Sequence, residues 1–227
     1  MLAPVTGDSC VHQETPGPAR DRAYGAPVAR RWNLNIHYHR VVLDAVPAAA
    51  RTALDVGSGD GLLAFDLAAR GLDVVGIDAD VGSIDRASSD RAASDRTTFV
   101  HGDVFTHPFE PASFDVVVSS AMLHQVDDAA AGLRRMAELV RPGGVVVVVS
   151  FANPSDLADW SLVGAGLVAT RTAMLTGRFW HHHAPITWPP PHTMAEMRAL
   201  VAAEMPGATV TRRMAHRYSV VWTRPEN

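Results

Sequence analysis

Between Leu54 and Gly61 the chain reads LDVGSGDG, and these are the residue types of a ligand-binding turn. Gly57, Gly59 and Gly61 alternate with polar residues where an apolar run that reads as a strand gives way to one that reads as a helix. Glycines there let the backbone turn sharply and come close to a ligand, and the following helix start offers free N–H groups. A tight turn with no ligand would use the same glycines. Asp78, ending VVGID, supplies a second half to the site. A carboxylate at the end of the next strand can take both hydroxyls of a ribose at the switch point of a doubly wound sheet. Capping the following helix is the competing use of Asp78.

The spacing discriminates among nucleotide-like ligands. A dinucleotide turn reads G-x-G-x-x-G and seats a pyrophosphate. Here the third glycine comes one residue early, and Asp55 and Asp60 flank the loop. Acids repel a pyrophosphate and suit a cationic amino-acid group. S-adenosylmethionine has a ribose and an ammonium and carries no phosphate, so the chemistry points to it. A nicotinamide oxidoreductase is disfavoured by the same spacing.

The elements that must position these residues alternate from residue 52 onward. Strands are expected over 52–57, 73–78, 97–103, 113–120 and 145–151, with helices over 60–70, 80–93 and from Asp127-Asp128 to Val140, closed by Pro142-Gly143-Gly144. The five consecutive valines of the fifth strand suit a central parallel strand buried on both faces, and the repeated strand–helix–strand units imply an α/β, doubly wound parallel sheet. RWNLNIHYHRVVLDAVP, ending at Pro47, reads as a helix leading into the first strand. Residues 152–192 break the alternation and are too long for a plain connection. Thr193 and Glu196 form a capping box opening a helix to Met205. ATVTRRMA (208–215) and RYSVVWT (217–223) read as a closing strand pair, and 1–30, rich in Pro and Gly, as a flexible tail.

LDVGSGDG, VVGIDAD, HGDVF, FDVVVSSAMLHQVDD and LVRPGG, in this order over roughly residues 50–150, resemble the class I S-adenosylmethionine-dependent methyltransferases. WNLNIHYH and RYSVVWTRP are similar to a bacterial small-molecule subgroup. The resemblance implies a Rossmann-like, seven-stranded, mostly parallel sheet with a reversed last strand, an N-terminal helix, and one methyltransferase domain over 31–227 with 152–192 as a substrate-lid insertion. It places Asp55, Gly57, Ser58 and Gly59 at the methionine end of the cofactor and Asp78 on the ribose. Ala79, Asp103 and Val104 fall at the adenine, and Ser119, with Ser120, near the sulfonium. S-adenosylhomocysteine is the implied product.

A sulfonium is already an activated methyl donor, so alignment of the acceptor is the protein's main task, and a dry pocket helps as the positive charge disappears. A hydroxyl acceptor needs a base; a carboxylate or neutral amine needs none. His124 is the first candidate base, followed by His37 and Tyr38. His37 and His39 point to different faces of a helix, so at most one faces the site. Oxygen is the preferred acceptor atom, with nitrogen and carbon open. His181, His182 and His183 suit no tridentate metal geometry, because neighbours on a strand point apart, so no metal is expected. Asp127-Asp128 reads as a helix cap. In the insertion Arg171 and Arg178 are candidate anion partners, and Trp160, Phe179, Trp180 and Trp188 candidate walls for a flat acceptor.

Composition trims the alternatives. The chain has 227 residues, a net charge of −4 and a single cysteine, Cys10. An intramolecular disulfide and a cysteine-rich metal site are excluded. All 20 basic side chains are arginine, which removes lysine bases and Schiff-base chemistry. The acidic balance argues against a nucleic-acid partner. With no apolar run of spanning length and no targeting segment, neither a membrane nor export is expected, and the expectation is a cytoplasmic protein with a small-molecule acceptor and undetermined oligomeric state. An S-adenosylmethionine-binding protein that does not methylate, a cyclase-like catalyst or accessory subunit, is the second reading.

Overall fold

Val145–Val149 leave no polar face to turn to water, so the strand that carries them must be covered on both sides. The computed structural model, which describes residues 32–90, 93–177, 179–180 and 188–226, covers it with strands at each edge and helices above and below. The tail expected over 1–30, Arg178 and His181, His182 and His183 lie outside the described residues.

Seven strands form one sheet: β1 (Thr52–Val56), β2 (Asp73–Asp78), β3 (Thr97–His101), β4 (Phe114–Ser120), β5 (Val140–Phe151), β6 (Thr209–Arg213) and β7 (Arg217–Thr223). Their order is β3-β2-β1-β4-β5-β7-β6, with β1 to β5 parallel and β7 antiparallel to both β5 and β6. This is the doubly wound sheet with a reversed last strand expected above. The direction of winding switches between β1 and β4, which opens a crevice beyond their C-terminal ends.

The helices are α1 (Leu34–Ala45), α2 (Leu62–Ala69), α3 (Val81–Ser89), α4 (Ala129–Leu139), α5 (Leu157–Leu175) and α6 (Met194–Glu204). Alternation along the strands divides the core in two. Val116, Val118, Val145, Val147 and Val149 face α1 and α2, meeting Tyr38, Val42, Leu63 and Leu67. Val117, Val146 and Val148 face α4 and α6, meeting Leu133, Met136, Met194 and Met197.

Two elements depart from the sequence expectation. β5 begins at Val140, before Pro142-Gly143-Gly144, because the pairing with β4 jumps from Phe114–Val140 to Val116–Val145. That irregularity absorbs Pro142, which a regular ladder would not accept. The insertion contains α5, a helix of 19 residues capped by the Asp156 side chain on the Asp159 N–H. It carries apolar residues around its circumference, including exposed Leu157, Leu167, Val168 and Leu175, so no helical stripe announces it. No helix of the described residues is long and apolar enough to cross a membrane.

Candidate active site

The glycine turn is built by positive backbone angles. Gly57 has φ 71°, and a Cβ there would lie 2.6 Å from Met122 Cβ, so both handedness and space demand glycine. Asp78 fixes the turn from the neighbouring strand: one carboxylate oxygen accepts from the Gly59 N–H at 2.8 Å, the other from the Asp80 N–H at 2.8 Å. Asp78 does not cap α3. Asp80 does, with its side chain accepting from Gly82 and Ser83 N–H groups. Asp128 in turn caps α4 through the Ala131 N–H.

A larger cavity of about 380 Å³ lies over this turn. Asp55, Gly57, Ser58, Gly59, Asp78, Ala79, Asp103 and Val104 all line it, gathered from the ends of three strands. Ser120 lines it as well; Ser119 is fully buried and does not. Asp60 is ion-paired with Arg86 at 2.8 Å, so its charge is largely answered within the protein. Asp55 is different. Its Oδ2 is buried without a partner, as is the Ser58 Oγ. Burial first, then the Asp78 carboxylate, pushes the Asp55 pKa up to about 7, against the lowering effect of the Ala64 N–H. A buried carboxylate with an unanswered oxygen is a site for a cation. The carboxylate of Asp78 at the end of β2, the unpartnered oxygen of Asp55 and the open glycine turn together fit an adenosyl group with a cationic amino-acid tail.

α1 closes this cavity with Asn33, Asn35, Ile36 and His39, and Trp180 closes it from the insertion. His39 is the histidine of its pair that faces the cleft, with Nδ1 2.7 Å from Asp66 Oδ2. His37 instead packs edge-on between Trp32 and Tyr38. Tyr38 is buried in the core, with its hydroxyl on the Met214 carbonyl at 3.4 Å. Neither lines the larger cavity or the one beside it.

That smaller cavity, about 260 Å³, shares Asn35, Ala121 and Gln125 with the larger one. Ala121, just past β4, holds a left-handed φ of 60°, the kind of local strain that concentrates at ligand sites. His124 lines the smaller cavity. The Ser150 hydroxyl holds both its backbone N–H, at 3.2 Å, and its ring Nδ1, at 3.1 Å. Burial, then Arg217, then His216 lower its pKa to about 4, so the ring is neutral at ordinary pH. Phe151, His216 and Trp188 form an aromatic wall, with ring centroids 4.7–5.4 Å apart, and Val163 and Leu167 of α5 close the far side.

Sequence reasoning passed over Arg217, His216 and Asn35, which sit in a hairpin and a helix start with no spacing pattern to mark them. Of the two arginines it favoured, Arg171 is exposed and Arg178 lies outside the described residues. Of the four aromatics, Trp180 and Trp188 line the cavities, Phe179 bridges to Trp32, and Trp160 is exposed.

Comparison with known proteins agrees with this geometry. The methyltransferase domain family matches residues 54–148. An uncharacterized methyltransferase of Mycobacterium tuberculosis is 40% identical over 200 residues, covering 86% of this chain and 98% of its own. A demethylmenaquinone methyltransferase of Beutenbergia cavernae is 38% identical over 137 residues, 56% of each chain. Human N-acetylserotonin methyltransferase in complex with S-adenosylmethionine shares the fold, with a TM-score of 0.58 at 16% identity over 84% of this chain and 52% of that one. The chain belongs to the class I S-adenosylmethionine-dependent methyltransferases.

Proposed function

We propose that the larger cavity holds S-adenosylmethionine, the smaller one holds a small-molecule acceptor, and a methyl group passes across their shared wall to an acceptor oxygen. The observation that carries this reading is the contact of the two cavities at Asn35, Ala121 and Gln125, beyond the β4 end. When bound, S-adenosylmethionine supplies an activated methyl and a leaving group that departs as a neutral thioether. Asp78 takes the ribose hydroxyls, Asp55 and Ser58 the amino-acid end, and Ala79, Asp103 and Val104 border the adenine. Apolar and aromatic side chains of the smaller cavity exclude water and fix the acceptor's approach, which is where the rate gain of an oriented displacement originates. α5 and Trp188 act as the lid.

Titration of the protein with S-adenosylmethionine and S-adenosylhomocysteine tests the first half. Micromolar binding by the wild type and a loss of about 100-fold in Asp78→Ala are expected, since two charge-assisted hydrogen bonds disappear. No binding by a folded wild type would overturn the reading. Demethylmenaquinone, the acceptor in the name of the Beutenbergia relative, is a second reading favoured by the exposed apolar residues of α5.

A further inference from the structure

The smaller cavity contains a charge that the proposed reaction has not used. Arg217, the first residue of β7, lines it and is only 8% exposed. Its guanidinium lies over the Phe151 ring, 4.1 Å from the centroid. Nη1 donates to the Ala215 carbonyl at 3.3 Å and Nη2 to Asn35 Oδ1 at 2.8 Å. Both acceptors are neutral. Nε is buried with no acceptor at all. Among the described residues no carboxylate pairs with this arginine, and none lines the smaller cavity. Burial lowers its pKa to about 10, which still leaves it protonated at neutral pH. An arginine buried without a counter-ion is costly unless a ligand supplies one.

We propose, resting on the function above, that the acceptor is an apolar carboxylic acid whose carboxylate docks on Arg217, and that the product is its methyl ester. Arg217 lines the smaller cavity, and its Nη2 donates to Asn35, a residue of the wall shared with the larger one, so a carboxylate drawn to this guanidinium is held beside the boundary between the two. A contact through one oxygen leaves the other as nucleophile. That oxygen forms the new bond to the methyl carbon while the carbon–sulfur bond breaks, its electron pair going to sulfur. An anion and a sulfonium cation become a neutral ester and a neutral thioether, and no proton moves. This balance suits the groups present. Among the described residues the titratable side chains lining the cavity are His124, His216 and Arg217, and both histidines have pKa values lowered to about 4. A hydroxyl acceptor would need a stronger base; a carboxylate is already ionised. The phenyl, indole and aliphatic walls then hold the rest of the acid.

The test uses octanoate and 3-phenylpropionate with their amides, octanamide and 3-phenylpropionamide, titrated into the full chain saturated with S-adenosylhomocysteine. The acids are expected to bind about 10- to 100-fold more tightly than the amides, the range of a charge-assisted hydrogen bond. Arg217→Gln should erase that preference while S-adenosylhomocysteine still binds, which shows the variant folded. Arg217→Lys, keeping the charge, should restore part of it if Gln disturbs the hairpin. With S-adenosylmethionine, label transferred to the acid should be released as methanol by mild alkali. Equal affinity for acids and amides, no binding of either acid, or label stable to alkali would overturn the inference while leaving cofactor binding intact. Failure of S-adenosylhomocysteine to bind would instead remove the reading beneath it.

Discussion

The two cavities share three wall residues and are made of opposite materials. The larger is shaped by backbone: glycines at positive φ, strand ends, and the carboxylates Asp55 and Asp78. The smaller is shaped by side chains of the last hairpin and α5, aromatic and aliphatic, with Arg217 as its buried charge. One is short of a cation and the other short of an anion. A reaction between a cationic donor and an anionic acceptor would discharge both, in surroundings where neither charge is well solvated. On the proposed function, each of these costly groups is a strain on the free enzyme that a substrate would relieve.

Asp55 offers the largest break in that comparison. Its folded pKa of about 7 lies above the ordinary aspartate value of about 3.9. A carboxylate raised in this way favours the fold when protonated, and that contribution fades as pH rises from about 4 through 7. Asp55→Asn removes the charge while its amide oxygen can still accept from Ala64. The free variant should therefore be more stable than wild type by about 0.5–2 kcal/mol at pH 8, with the difference vanishing near pH 4, by thermal melting. Its affinity for S-adenosylhomocysteine should fall about 10- to 100-fold. In wild type the same affinity should rise from pH 5.5 to about 7 as Asp55 ionises, then decline above about 8 as the ligand's amino group loses its proton. A variant less stable at pH 8, or with unchanged affinity, would end the account of the larger cavity as a cation site.

The difference in materials also decided what could be read in the sequence. A turn made of backbone has a signature, because the left-handed angle at Gly57 favours glycine and the space beside Met122 leaves no room for a Cβ, and strand ends fall at a regular distance from it. Eight of the nine expected cofactor residues line the larger cavity, all but Ser119. A cavity made of side chains has no such grammar. Arg217 reaches it only because β7 returns antiparallel beside β5, setting Arg217 opposite Phe151. α5 was hidden for a related reason: apolar residues all round erase the 3.6-residue stripe by which a helix is recognised. His37 and Tyr38 show the limit of neighbourhood reasoning, since one turn of α1 presents His39, and neither of them, to the cleft.

Gly166 should separate the cavities by packing alone. It lies on α5 where a Cβ would overlap Ala215 on the hairpin turn, so helix and hairpin approach closely only because it is glycine. Gly166→Ala should push α5 outward and enlarge the smaller cavity. The overlap is of a kind that costs about 1–3 kcal/mol, so acceptor KM should rise several-fold while S-adenosylhomocysteine affinity is unchanged. A loss of cofactor affinity in this variant would show that the two cavities open and close as one unit.

His124 gives the smallest expected effect and the sharpest distinction between acceptor chemistries. Its pKa of about 4 keeps the ring neutral from pH 5.5 to 8, held by burial and by Arg217. At saturating donor, Asp55 is kept ionised by the ligand, and an acid acceptor is ionised throughout this range. kcat measured on a carboxylate should therefore be flat between pH 5.5 and 8. His124→Gln should lower it by less than about 10-fold, below the 100- to 10,000-fold typical of a lost general base. A base with a pKa near its ordinary 6.5 would instead give a kcat that climbs about tenfold per pH unit up to that value. That climb, abolished in His124→Gln, would make a hydroxyl the acceptor and His124 its base. The smaller cavity would then be a site for a developing alkoxide, with the Arg217 charge beside it.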